Sequence, residues 1–188
     1  NLAADKGFTS IVELLLCKGA EVDSKNNNGF TPLYVAAFKG HLDACKLLLS
    51  KGASVNKSES GWSPLMVAAQ MGHTEVCKLL LETGKANVKE TNPSFTALLS
   101  AAQRGHTEVC ELLLANGSDL EERQTGTLYT ALHKAAIFGH QSLLELLLSH
   151  KADVNSRDRI GVTPLKLASS EGHLASVLAL LQAGADPL

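Results

Sequence analysis

The sequence is poor in most of what would cross-link it, anchor it in a membrane or hold it on a polyanion. Four cysteines in 188 residues are too few for the disulfide framework of a secreted scaffold, so a reducing compartment, cytosol or nucleus, is expected. The longest unbroken apolar run is six residues, Leu33 to Phe38, against the ~18 that a membrane-spanning helix needs, and no direct membrane insertion is expected. No charged leader followed by an apolar segment is visible at the start. Neither sign of charge dominates: 17 Lys+Arg oppose 19 Asp+Glu for a net charge of −2, which removes the basic footprint of a nucleic-acid binder. Catalytic signatures are missing too. There is no Gly-Lys-Ser/Thr phosphate loop, no Gly-x-Ser-x-Gly elbow, no His-Glu-x-x-His and no Gly-x-Gly-x-x-Gly. No enzyme activity and no cofactor are therefore expected.

What is present is a period. Gly-His occurs at Gly40-His41, Gly72-His73, Gly105-His106, Gly139-His140 and Gly172-His173, with a degenerate Gly7-Phe8 ahead of them, at spacings of 33, 32, 33, 34 and 33 residues. Upstream of each complete pair, in one register, stand Thr31-Pro32-Leu33, Ser63-Pro64-Leu65, Thr96-Ala97-Leu98, Thr130-Ala131-Leu132 and Thr163-Pro164-Leu165. Downstream come Leu-rich segments such as Leu47-Leu48-Leu49, Leu79-Leu80-Leu81, Leu112-Leu113-Leu114 and Leu146-Leu147-Leu148.

Each unit reads as two short helices. Thr or Ser followed by Pro or Ala supplies a capping oxygen and a preset φ for a first helix. That helix runs through an Ala pair, which lets backbones approach closely, and stops at the Gly, whose missing Cβ permits a left-handed turn. A second helix buries a Leu stripe. Helices of about ten residues are marginal in water alone, so their stability must come from neighbouring units stacked into an all-α solenoid.

These Thr-Pro-Leu, Ala-Ala, Gly-His and Leu-Leu-Leu spacings resemble the ankyrin repeat over essentially the whole chain. Units starting five residues before the Thr/Ser give complete repeats at 26–57, 58–90, 91–124 and 125–157, flanked by partial ones at 1–25 and 158–188, in a single ankyrin-repeat domain. Leu2-Ala3-Ala4 aligns with Val35-Ala36-Ala37, so residue 1 falls inside a first helix and the array is expected to extend upstream. The His of the family's Thr-Pro-Leu-His is present only at His133, with Tyr34, Met66, Leu99 and Lys166 elsewhere, which puts its capping bonds in doubt in four repeats. The turn glycine of Gly29, Gly61 and Gly161 is replaced by Ser94 and Leu128, so irregular hairpins are expected there.

Few side chains invite chemistry. Five of the seven histidines recur once per repeat, too far apart on stacked helices (~8–10 Å) to share one metal ion, and no metal site is expected. Cys45, Cys77 and Cys110 share a slot with Val12, Leu144 and Val177, an apolar set, whereas Cys17 shares one with Ser50, Glu82, Ala115, Ser149 and Gln182 and is expected to be exposed. Asn56 and Asn155 end Ala-Ser-Val-Asn and Ala-Asp-Val-Asn, segments that the family resemblance makes possible targets of asparagine hydroxylation.

The eight aromatics are unevenly placed. Phe30, Trp62, Phe95 and Tyr129 occupy one slot just before the Thr/Ser, with Val162 as its fifth member. Phe38 and Phe138 lie one or two residues before the Gly of Gly-His, beside Met71 and Ile137 in equivalent slots. In ankyrin-like folds, hairpins and first helices line the concave, partner-binding surface, so the resemblance implies a protein-protein interaction module. Lys39, Gln70, Gln103, Arg104 and Glu171 would form its polar rim, and the repeat at 125–157 its hot spot. The bland alternative is that the aromatic row fastens hairpin to hairpin. A monomer binding a peptide or protein domain is expected; the alternative is a spacer or targeting arm within a larger enzyme, channel or ubiquitin-ligase subunit.

Overall fold

Each Thr or Ser that ends the extended stretch caps a first helix with its own oxygen. The hydroxyls of Thr31, Ser63, Thr96, Thr130 and Thr163 accept from the backbone N–H three residues on. The structure, a computed structural model describing residues 1–55, 61–83, 86–92 and 94–187, contains twelve helices among those residues. The first helices are α1 (Leu2–Asp5), α3 (Pro32–Lys39), α5 (Pro64–Met71), α7 (Ala97–Arg104), α9 (Ala131–Ile137) and α11 (Pro164–Ser170). Their partners are α2 (Thr9–Cys17), α4 (Leu42–Ser50), α6 (Thr74–Glu82), α8 (Thr107–Ala115), α10 (Gln141–Ser149) and α12 (Leu174–Gln182). The only β feature among the described residues is an antiparallel bridge between Thr91 and Thr96.

First helices pack on first helices and second on second, in chain order, so the core is a continuous seam through the stack. The Ala pairs of α3, α5, α7 and α9 are fully buried in it. So are Leu48, Leu80, Leu113, Leu147 and Leu180 of the second helices, and Cys45, Cys77 and Cys110 beside them. At the two ends the same pattern is left open: Ile11, Leu14 and Leu15 of α2 and Leu174, Leu178 and Leu181 of α12 are exposed. Among the described residues, no helix is long and apolar enough to cross a membrane.

Two sequence expectations meet their physical detail here. Losing the His of Thr-Pro-Leu-His does not cost the hydroxyl cap, which forms in all five helices. What His133 adds is different: its Nδ1 accepts from the Thr130 N–H at 3.2 Å, and its Nε2 donates to the Val162 carbonyl at 3.2 Å, tying α9 to the following hairpin. The two hairpins with another residue in the turn-glycine slot do depart from the others. The N–H of Asn26 pairs with the carbonyl of Phe30, and that of Asp158 with Val162, four residues on in each case. Asn92 instead pairs with Phe95, three residues on, and Gln124 with Tyr129, five on. Leu128 carries the positive φ of 61° that a glycine would have supplied.

Candidate functional site: the hairpin and first-helix face

The recurring histidines are committed to the scaffold. The Nε2 atoms of His41, His73, His106, His140 and His173 donate to the carbonyls of Asp5, Phe38, Gln70, Gln103 and Ile137 in the preceding unit, at 3.0 to 3.2 Å. Each ring also lies over the glycine of that unit. A Cβ placed on Gly7, Gly40, Gly72, Gly105 or Gly139 would come within 2.6 to 2.8 Å of it. The glycine is therefore required twice, for its left-handed φ and for the ring that covers it.

This arrangement splits the end of the first helix into two rows. The residue two before the glycine gives its carbonyl to the histidine: Phe38, Gln70, Gln103 and Ile137 are half-buried. The residue one before it points outward: Lys39, Met71, Arg104, Phe138 and Glu171 are all exposed. Phe38 and Phe138 thus fall in different rows: Phe38 and Ile137 share the half-buried one, Met71 and Phe138 the exposed one. The Lys39 ammonium lies 5.6 Å from the Phe38 ring and 3.8 Å from the Asp5 carboxylate.

The aromatic row before the capping residue is half-buried throughout. Trp62 stacks on Phe95 of the next unit with ring centroids 6.0 Å apart, a hairpin-to-hairpin contact. Phe30 stacks on Tyr34 of its own helix at 4.3 Å, and Tyr129 on His133 of its own helix at 5.5 Å. Fastening is therefore real for one pair, while the other two rings stack on their own first helices. At the first two units this face holds a groove of about 770 Å³ lined by Asn26, Phe30, Tyr34, Val35, Phe38 and Lys39 among others. A smaller one, of about 300 Å³, lies between Phe95 and Glu122. Burial raises the Glu122 carboxyl above its ordinary value, partly opposed by a hydrogen bond from Thr96.

One residue escaped the sequence reading. Lys134 of α9 is only 7% exposed, in a slot held by Val35, Val67, Ser100 and Leu167 in the other units. Its Nζ lies 5.6 Å from the Phe95 ring and 5.3 Å from the Tyr129 ring, and donates to Gln103 Oε1 at 3.3 Å. Burial lowers the pKa of this ammonium. Its one mark in the sequence is a charge in a slot that otherwise takes Val, Ser or Leu.

The three buried thiols are inert by environment: burial pushes each of Cys45, Cys77 and Cys110 up to about 12. Cys17 is exposed. Among the described residues no group of three His, Cys, Asp or Glu could hold a metal ion. Asn155 is exposed, its Oδ1 accepting from the Asp186 N–H at 2.8 Å; Asn56 lies outside the described residues.

A family model described as ankyrin repeats matches residues 1–92, 55–124 and 98–188. The chain belongs to the ankyrin-repeat family. Among solved structures, the human ASB11 ankyrin repeat domain superposes with a TM-score of 0.90 at 28% identity, covering 98% of this chain and 82% of that one. An ankyrin repeat domain from Acinetobacter baumannii gives 0.85 at 31% identity, covering 98% and 97%. Curated relatives match over short stretches. Mouse protein phosphatase 1 regulatory subunit 12A is 41% identical over 49 residues, which is 26% of this chain and 5% of that protein. A Caenorhabditis elegans homolog of transient receptor potential cation channel subfamily A member 1 is 40% identical over 58 residues, 31% of this chain and 5% of that one. Ankyrin repeats are in general protein-protein interaction modules.

Proposed function

We propose that this ankyrin array is a non-enzymatic binding module that holds a peptide or protein domain on the face made by its hairpins and first helices, from residue 26 to residue 157. The observation that carries this is the contrast between rows. The slots that build the stack repeat one chemistry, Ala-Ala, Gly-His and Leu, whereas the exposed row reads Lys39, Met71, Arg104, Phe138 and Glu171, a different chemistry at each step. A scaffold needs no such variety, while a partner with its own sequence of side chains does. Met71 and Phe138 are 40% and 47% exposed and can bury apolar area on binding, within a rim formed by Arg104 and the Gln70 and Gln103 side chains.

The half-buried aromatics Phe30, Trp62, Phe95 and Tyr129 would stiffen that surface and contribute ring edges to it. The repeat boundaries at 26, 58, 91, 125 and 158 divide the site into one contact set per unit. A monomer with free thiols, working in the cytoplasm or nucleus, fits the reading, and Asn155 is carried with it as a hydroxylation target. An unmodified Asn155 peptide mass after co-expression with an asparaginyl hydroxylase would remove that assignment.

The test is a paired capture. The parent, a Met71→Ala/Arg104→Ala/Phe138→Ala variant and a second-helix variant, Glu75→Gln/Glu108→Gln/Glu111→Gln, are immobilised at equal density after circular dichroism shows all three folded. The proposal expects proteins that bind the parent and the second-helix variant to be lost from the first variant. Loss from the second-helix variant alone would move the site to the opposite face. A second reading, in which the array spaces or targets other domains of a longer protein, draws on the short matches to much longer relatives. It predicts no selective capture by any of the three.

A further inference from the structure

Building on the binding role just proposed, we propose that the partner is an acidic protein segment, and that Lys134, between the Phe95 and Tyr129 rings, receives an aspartate or glutamate side chain from it. Three observations converge on this. The first is placement. Val35, in the corresponding slot of α3, lines the groove with Phe30, Tyr34 and Phe38, so the slot in α9 lies just beneath the same face, one helical turn from the exposed Phe138.

The second is the unfinished coordination of the ammonium. Lys134 is more than nine-tenths buried, yet its one hydrogen-bond partner among the described residues is the neutral amide of Gln103, and the two rings supply only their π faces. An ammonium has three donors and, in a half-dry site, favours a carboxylate. A slot that takes Val, Ser or Leu elsewhere does not need a cation for packing.

The third is the surrounding field. The ion pairs among the described residues that join side chains, Lys6–Asp5, Lys39–Asp5, Lys46–Asp43 and Lys78–Glu82, all lie before residue 83. In the later units Arg123 and Arg157 donate to backbone carbonyls of the hairpins and form no ion pair among the described residues, with the exposed Arg104 and Lys166 on the helices between. Carboxylates stand there too: Asp158 accepts from the Ile160 and Val162 N–H groups, Glu121 from the Asp153 N–H and Glu122 from Thr96, while Glu171 is exposed. The cations thus keep donors that no carboxylate among the described residues takes up in an ion pair.

The experiment uses a displayed library of random 12-residue peptides, panned on the whole chain. The inference expects the selected peptides to share an Asp or Glu at one fixed register beside an apolar residue. Changing that acid to Asn or Gln should weaken binding by roughly 10- to 100-fold, the range for a hydrogen bond to a charged group. Lys134→Met should produce a comparable loss, and Lys134→Glu should remove the acid from the selected set. A 12-nucleotide single-stranded DNA is expected not to compete; competition at peptide-like affinity would replace the acidic segment by a general polyanion and overturn the inference. Selected peptides that lose affinity with Phe138→Ala but show no fixed acid would overturn it while leaving the proposed face intact. Peptides indifferent to both Phe138→Ala and Lys134→Met, or no enrichment at all, would overturn both. The peptide substitution is read on the unaltered protein, so the outcome does not depend on any variant folding.

Discussion

His73 donates from Nε2 to the carbonyl of Phe38 at 3.0 Å while its ring occupies the space a Cβ on Gly40 would need, 2.6 Å away. One side chain thus fixes both the spacing and the rotation of two units. The same lock recurs from α1 to α11, which explains why Gly and His travel together through the sequence.

The lock predicts unequal costs for two glycines of similar φ. Gly40 has φ 76° and Gly52 has φ 86°, but nothing stands within 4 Å of a Cβ on Gly52. Alanine at either pays left-handed strain of about 1–2 kcal/mol. Gly40→Ala should lose roughly 1 kcal/mol more, because the ring must give up its hydrogen bond and packing. Urea unfolding of both variants measures this, and equal midpoints would show that the ring yields without cost.

His133 makes stability sensitive to acid. It is buried, and desolvation lowers its pKa from the ordinary 6.5; the field of Arg123 acts in the same direction, against the Val162 carbonyl and two nearby carboxylates. Its Nδ1 accepts the Thr130 N–H, a bond that a protonated Nδ1 cannot make. With the folded value below the unfolded one, the unfolded state binds the proton first. Stability should therefore be constant above about pH 7 and fall as the pH drops from 6.5 through the folded value. His133→Gln should flatten that part of the profile. A profile with the same acid slope in the variant would remove His133 as its source.

Thiol accessibility should separate one cysteine from three. Cys17 is exposed, whereas Cys45, Cys77 and Cys110 are buried with pKa values pushed up to about 12. In native buffer at pH 7.5 a maleimide should label Cys17 alone, and the rest only on unfolding. Rapid native labelling of Cys77, central in the stack, would mean that the array opens far more readily than its packing implies.

Lys134 should cost stability. Its slot accepts Val or Leu in other units, and its ammonium is desolvated without a carboxylate. Lys134→Met should raise stability at pH 7 by on the order of 1 kcal/mol, since it removes a buried charge and keeps the stem's volume. A lower melting temperature would show that the Phe95 and Tyr129 rings more than offset the desolvation.

Much of the fold was legible because the sequence states it five times. A Thr cap, an Ala pair and a Gly-His seen once are weak signals, but in one register they set helix ends, and Thr31, Ser63, Thr96, Thr130 and Thr163 all cap as read. Cys45 and Cys17 could be told apart by the company each keeps in its slot. What repetition could not show was the direction of residues beside a turn. Phe38 and Phe138 differ by one position, and only the histidine's demand for the carbonyl two before the glycine makes one half-buried and the other exposed. Lys134 was not legible because one charge in a slot filled elsewhere by Val, Ser or Leu does not show that two rings from neighbouring hairpins close over it.

The most direct test of the binding face is a photo-crosslink. Benzoylphenylalanine is placed at position 138 in one preparation and at position 111 on α8 in another, and each is irradiated in lysate, with adducts identified by mass. The account predicts a discrete protein adduct from position 138 that an excess of unlabelled chain suppresses, and none from position 111. A discrete adduct from position 111 with nothing from position 138 would contradict it and put the partner on the second helices.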